Sequence, residues 1–107
     1  MIKSTLKYYC QNHTPSSLVN IFMCLAEYSG EHDMLPNISV PELFDSSYDL
    51  DDKDLQLAYK EFTTFPSSKS VENMIFVIIM LYKGFGLTYE DFQKEIIKNL
   101  TERIDNP

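Results

Sequence analysis

The sequence is poor in the residues that build disulfide scaffolds and metal sites. Its 107 residues include two cysteines, two histidines, three glycines and no tryptophan. Two cysteines are too few for a disulfide framework. The longest apolar run, residues 74–82, has about half of the roughly 18–20 residues that a membrane-spanning helix needs. We therefore expect neither a disulfide-rich domain nor a helix that crosses a membrane.

The start of the chain, MIKSTLKYYCQNH, lacks the uninterrupted apolar stretch of a secretory signal, because Lys3, Lys7 and Gln11 interrupt it. We expect no export by that route, and a cytoplasmic location. Cys10 and Cys24 fall on predicted apolar helical faces, which predicts that both are free, buried thiols.

Apolar residues make up 44% of the chain and aromatic residues 13%, enough to bury one core of ordinary size. Apolar positions recur every three or four residues between capping and turn residues, which predicts helices. We predict an all-α fold, a single domain over residues 1–107 in a compact bundle of about six helices. The predicted helices cover residues 2–11, 15–29, 39–44, 51–62, 70–83 and 88 onward.

Capping residues set several of these boundaries. Thr14 precedes Pro15 at the start of the second helix, Ser39 and Glu42 have the spacing of a capping box, and Asp51 is a candidate cap. Gly30 is the predicted stop of the second helix. The block MIFVIIMLY is apolar on every side, and its β-branched residues would also permit a strand. Because a strand would have no partner here, we predict a central buried helix over about residues 70–83.

No pattern of catalytic or metal-binding residues is complete. A calcium loop that starts at Asp45 or Asp49 lacks both the central glycine and the final glutamate. Cys10 and His13 have a spacing that could clip a metal, yet no further Cys or His pair completes a tetrahedral site, and nothing near either cysteine marks an activated thiol. We expect no metal, no cofactor and no enzymatic activity; a small enzyme or metal protein that uses Cys10 and His13 is an alternative.

Charge is distributed unevenly along the chain. The formal net charge is −7, which argues against nucleic acid as a direct ligand. Residues 27–54 hold nine acids and one base, and five aspartates fall within residues 45–54. Helix caps and turns account for some of these aspartates. Because clustered like charges repel each other, we expect a cationic protein partner that reduces this repulsion. The candidate contacts are Asp45, Asp49, Asp51, Asp52 and Asp54, with Tyr48 as an aromatic anchor and Glu31 and Asp33 as a second acidic group.

A small, acidic, all-helical chain without catalytic residues or an export signal resembles the immunity proteins of bacterial toxin systems. In size, charge and character it looks most like the cytoplasmic immunity proteins that accompany contact-dependent growth-inhibition toxins. The resemblance implies a protein that binds and neutralises a cationic toxin domain, a ribonuclease, by covering its active site with an acidic surface. It assigns no functional residues and implies no membrane partner.

A second interpretation belongs to another class of protein. A helical adaptor or antitoxin-like module would bind an apolar helix of its partner through a Met-rich surface. The methionines that would form this surface are Met23, Met34, Met74 and Met80. Binding that is insensitive to salt would favour this alternative.

Overall fold

The computed structural model describes residues 13–47, 51–64 and 66–105, and this part of the chain is helical with no strand. Its five helices are α1 (Pro15–Glu31), α2 (Val40–Asp45), α3 (Asp52–Thr64), α4 (Ser68–Gly84) and α5 (Tyr89–Asp105). The all-α prediction is confirmed. The predicted number of six helices is only approximate, since the predicted helix over residues 2–11 lies outside the described residues.

Helix α4 is the centre of the bundle, as its apolar sequence predicts. It packs against α1, α2 and α3, and α5 packs against α1. Its buried residues lie on several sides of the helix; they are Ser70, Val71, Met74, Ile75, Val77, Ile78, Ile79, Met80 and Tyr82. The helix is slightly longer than the predicted span of residues 70–83, since it begins at Ser68 and ends at Gly84.

Phe92 of α5 is the centre of an aromatic cluster that joins four helices. Its side chain is 0% exposed, and its ring lies 5.0 Å from that of Phe22, 5.4 Å from Phe44 and 5.2 Å from Tyr82, measured between centroids. Edge-on and tilted contacts of this kind are the favoured arrangements for aromatic pairs. The cluster therefore ties α1, α2, α4 and α5 together at one point.

Two predicted helix starts are confirmed in detail. Thr14 Oγ1 accepts a hydrogen bond from the Ser17 N–H at 3.1 Å, and Pro15 is the first helical residue of α1. Asp51 Oδ1 accepts one from the Asp54 N–H at 2.9 Å. These side chains satisfy amide groups that have no partner within the first turn of a helix.

Three other boundaries differ from the prediction. Helix α4 begins before the predicted start at residue 70, because its cap is Ser67: Ser67 Oγ accepts from the Ser70 N–H at 3.2 Å, and Ser70 Oγ accepts from the Ser67 N–H at 2.7 Å. Ser39 precedes α2, yet its side chain makes no capping hydrogen bond, so the predicted capping box does not form there. Gly30 is helical, because α1 continues through Glu31.

The expected burial of Cys24 and exposure of the methionines are wrong. Cys24 is exposed, since it lies away from the side of α1 that packs into the core. The predicted Met-rich surface is not a surface: the side chains of Met23, Met74 and Met80 are buried, and Met34 packs partly buried against the same core. Flexible thioether side chains fill irregular gaps in a core well. Cys10 lies outside the described residues.

Candidate functional site

Helices α3 and α4 pack against each other across a short link, from which we infer an antiparallel hairpin with the start of α3 toward the end of α4. The link between them is three residues long. Beyond it, Asn73 Nδ2 of α4 donates a hydrogen bond to Glu61 Oε2 of α3 at 2.6 Å. Asp51 and Asp54, at the beginning of α3, therefore lie at the end of the bundle where α4 finishes with Lys83 and Gly84.

Lys83 attaches the end of α2 to the same end of α4. Its Nζ donates to the carbonyl oxygens of Ser46 and, at 3.5 Å, of Leu43. The carbonyl end of a helix carries partial negative charge, so a lysine is a favourable partner there. This contact places Asp45, the last residue of α2, beside the C-terminus of α4.

A tight turn leads from α4 to α5 at this end of the molecule. The Phe85 N–H donates to Tyr82 O at 3.1 Å and the Gly86 N–H to Lys83 O at 2.8 Å. Gly86 has φ 77°, a conformation that only glycine adopts without strain. The turn places Glu90, in the first turn of α5, in the lining of a surface hollow of about 670 Å³ that Asp45 also lines.

These connections bring four carboxylates to one end of the bundle, named here the acidic end: Asp45, Asp51, Asp54 and Glu90. The side chains of Asp45, Asp51 and Glu90 are exposed. Asp45 and Glu90 form no salt bridge with another described residue. The negative potential at this end is thus open to a partner.

Asp51 and Asp54 also have a structural role. The Asp51 N–H donates to Asp54 Oδ2 at 3.4 Å while Asp51 Oδ1 accepts from the Asp54 N–H, a reciprocal cap at the start of α3. The hydrogen bond from the Asp54 N–H holds the pKa of Asp51 below its usual range. Both residues therefore stabilise α3 as well as contributing charge.

The structure separates the second predicted acidic group from the first. The ring of Tyr28 near the end of α1 lies 5.9 Å from that of Phe62 near the end of α3, and the Asn37 N–H donates to Glu72 Oε1 near the start of α4 at 2.8 Å. Glu31 and Asp33 are exposed at that end. Helix α4 has 17 residues, about 25 Å at 1.5 Å per residue, and most of that length separates the two groups.

Three of the predicted contacts have no described side chain. Tyr48 and Asp49 lie outside the described residues. Asp52 is the first residue of α3, and the structure describes its backbone but not its side chain. The structure assigns them no position on the acidic end, and their proposed roles stay predictions.

Sequence reasoning missed Glu90 and Phe85 as members of this surface. Glu90 lies 36 residues beyond Asp54, so no local pattern joins them. Phe85 forms the turn before Gly86, its side chain is 48% exposed, and it makes no ring contact with the described aromatic residues. The flanking glycines, Gly84 and Gly86, are the one signal that could have marked an exposed aromatic turn. Exposed aromatics of this type are enriched at the centres of protein interfaces.

A separate apolar groove lies between α1, α2 and α5. It has a volume of about 300 Å³ and is lined by Phe22, Val40, Tyr89, Phe92, Gln93, Ile96 and Ile97. Ile97 is 63% exposed, and Leu100, one turn further along α5, is 47% exposed. This groove, unlike the methionines, presents exposed apolar side chains.

The remaining functional possibilities concern metals, membranes and known relatives. In residues 13–47, 51–64 and 66–105, no group of three or more His, Cys, Asp or Glu side chains could hold a metal ion; Cys10 lies outside these ranges. Within the same ranges no single helix is long and apolar enough to cross a membrane. One pair of helices, Ser68–Gly84 and Tyr89–Arg103, is long and apolar enough only when the two are taken together, and this pair is bent by 110° at the break between them.

No protein-family model, curated protein or solved structure matches this chain.

Proposed function

We propose that this protein is an inhibitor of a cationic toxin domain, a ribonuclease, and that it acts by binding and not by catalysis. The observation that carries the proposal is the acidic end, where carboxylates from three helices meet beside an exposed phenylalanine. The role is that of an immunity protein of a contact-dependent growth-inhibition system, acting in the cytoplasm. It requires no cofactor, and neither nucleic acid nor a membrane is a direct partner.

Charge complementarity supports this role. A ribonuclease active site carries lysine and arginine side chains because it holds phosphate groups. Carboxylates from an inhibitor can occupy those phosphate positions and block the entry of RNA. Opposite charges also accelerate association, up to on the order of 10⁸–10⁹ per molar per second at low salt. Fast capture suits a protein that must neutralise a toxin before it acts.

The roles within the proposed interface follow from position and exposure. Asp45 and Glu90 provide charge beside the hollow, and Asp51 and Asp54 add charge at the start of α3. Phe85 is the apolar anchor, since a buried aromatic side chain surrounded by polar contacts is the common arrangement of a strong interface. Tyr48, Asp49 and Asp52 are proposed to lie within the same interface.

The proposal requires that the adjacent upstream reading frame encode a secreted protein with a basic C-terminal domain, and the test uses that domain as the binding partner. Asp45→Asn and Glu90→Gln are combined in one variant, because both side chains are exposed and neither caps a helix. We expect the association rate at low salt to fall at least about tenfold and its dependence on salt to weaken. Stopped-flow or surface-plasmon measurements at several salt concentrations give both quantities.

The matched control carries Glu31→Gln and Asp33→Asn, which remove the same charge at the opposite end of the bundle. Asn tolerates the left-handed conformation of Asp33, which has φ 53°. This control should change the association rate much less than the Asp45/Glu90 variant. Equal effects of the two variants on the association rate would contradict the proposal. So would a failure of both the wild type and the control to protect cells from the toxin domain.

The apolar groove beside Ile97 favours a second candidate, an adaptor that binds an apolar helix of its partner. Buried apolar area would then dominate affinity, and binding would depend little on salt. The same measurements separate the two candidates when Ile97→Asp is added. Loss of binding in Ile97→Asp, together with unchanged binding in the Asp45/Glu90 variant, would favour the adaptor.

A further inference from the structure

The hollow between the end of α2 and the start of α5 combines carboxylates with aromatic rings. Asp45 and Glu90 line it together with the rings of Phe44 and Tyr89. The two ring centroids are 5.6 Å apart, and the rings are tilted by 56° to each other, so the two rings pack against each other in the lining of the hollow. Both rings are half-buried while both carboxylates are exposed, so packing holds the rings in place and the carboxylates are accessible to a ligand.

We infer that this hollow binds the guanidinium group of an arginine side chain; the inference rests on the proposed function for its assumption that the arginine belongs to a cationic protein partner. The guanidinium group is planar, so it can lie on an aromatic ring and donate to carboxylates in its own plane at the same time. An ammonium group is a compact, strongly hydrated charge and makes the stacking contact less well. The combination of aromatic rings and two carboxylates therefore fits arginine better than lysine.

The positive charges near the hollow are already engaged. Lys83 lines it as well, but its Nζ donates to the carbonyl oxygens of Leu43 and Ser46. The positive end of α5 is balanced by Asp91, whose Oδ2 accepts hydrogen bonds from the Thr88 N–H at 2.8 Å and the Thr88 hydroxyl at 3.0 Å. The Lys83 ammonium group keeps its positive charge, but the two carboxylates in the lining of the hollow outnumber it, so the net charge of the lining still attracts a guanidinium group.

The volume of the hollow is also suitable. At about 670 Å³ it lies within the range of roughly 300–1,000 Å³ typical of small-molecule sites. Gly86 forms part of the wall, and a Cβ built on it would meet no other atom within 4 Å. The opening beside Gly86 leaves space for the backbone of a partner to approach.

The experiment titrates the ¹⁵N-labelled protein with N-acetyl-arginine amide and follows the backbone amide signals by NMR. We expect saturable shifts concentrated in residues 44–46 and 86–90, with a dissociation constant on the order of millimolar. N-acetyl-citrulline amide, which has the same shape without the charge, should produce no saturable shift. In the variant with Asp45→Asn and Glu90→Gln, the arginine affinity should fall at least about tenfold.

Two further variants separate this site from general attraction of a cation to an acidic protein. Tyr89→Phe keeps the ring and should retain the affinity, whereas the variant with Glu31→Gln and Asp33→Asn changes charge only at the distant end and should also retain it. Equal shifts at both ends of the bundle, equal binding of citrulline amide, or unchanged affinity in the Asp45/Glu90 variant would overturn the inference.

The titration needs no toxin, so its outcome is distinct from that of the proposed function. If arginine amide binds in the hollow and the toxin domain does not bind the protein, the proposed function fails and the arginine site stands. If the toxin domain binds through the acidic end but arginine amide does not bind in the hollow, only the arginine site is wrong.

Discussion

Two phenylalanines seven residues apart show how much the surroundings of a residue decide its role. Phe92 is fully buried and contacts three other rings. Phe85 is about half exposed in the turn between α4 and α5. The first holds four helices together, whereas the second leaves apolar area available to a partner. The same side chain therefore contributes to stability at one position and is proposed to contribute to binding at the other.

Replacement of each phenylalanine by alanine separates these roles. Phe92→Ala should lower the free energy of unfolding by about 3–5 kcal/mol, because it removes a buried ring and leaves a cavity. Phe85→Ala should change it by roughly 0.5 kcal/mol or less, as most surface substitutions do. Urea unfolding followed by circular dichroism measures both. Similar losses in the two variants would show that the ring of Phe85 is also part of the core.

Residue-level predictions from sequence succeeded where the cause is local. The cap formed by Thr14 and the one formed by Asp51 each depend on an amide group three residues away, and a short pattern contains all of that information. Burial of single residues was less predictable. Cys24 lies on an amphipathic helix, yet its exposure depends on which side of α1 the other helices cover.

At the scale of the elements, α3 and α5 start in the same way. Each helix is capped by the residue just before it, Asp51 for α3 and Thr88 for α5. Each cap exchanges hydrogen bonds with the aspartate three residues later, Asp54 or Asp91. The hydrogen bond from the Thr88 N–H, and to a smaller extent the one from the Thr88 hydroxyl, lowers the pKa of Asp91. The hydrogen bond from the Asp54 N–H lowers the pKa of Asp51. The ionised carboxylates are thus favoured by the folded state.

These lowered pKa values predict a specific dependence of stability on pH. The contribution of each cap is fully present above the ordinary aspartate pKa of 3.8 and is lost as pH falls through the lower folded-state value, since protonation favours the unfolded chain. Asp51→Asn and Asp91→Asn keep an acceptor oxygen without that titration. Between about pH 5 and pH 2, the double variant should lose less stability than the wild type in urea unfolding. Parallel losses in both proteins would rule out these caps as the source.

At the scale of the whole molecule, the fold brings together apolar and charged residues that lie far apart in the sequence. The apolar residues of α4 form the centre, and carboxylates from α2, α3 and α5 meet at one end of it. Lys83 is essential to this arrangement because it joins α2 to the end of α4 through carbonyl oxygens rather than through a carboxylate. The cation strengthens the structure without forming a direct salt bridge to Asp45.

Self-repulsion should therefore limit the stability of the free protein at low salt. With 16 acids against nine bases, added salt screens the repulsion at the acidic end. We expect the melting temperature to rise by a few degrees between low and high sodium chloride concentrations. The rise should be smaller in the variant with Asp45→Asn and Glu90→Gln. A melting temperature that falls with added salt would show that attractive pairs dominate the surface instead.

The sequence by itself determined the helical class, the central apolar helix, several caps and the uneven charge, because periodicity, capping and composition act over a few residues. Only the tertiary structure decided which carboxylates meet. Glu90 joins Asp45 in the lining of one hollow, while Glu31 and Asp33 lie most of the length of α4 away. The physical reason is that this grouping depends on the antiparallel packing of α3 on α4 and on the contact of Lys83 with α2, which join residues far apart in the chain.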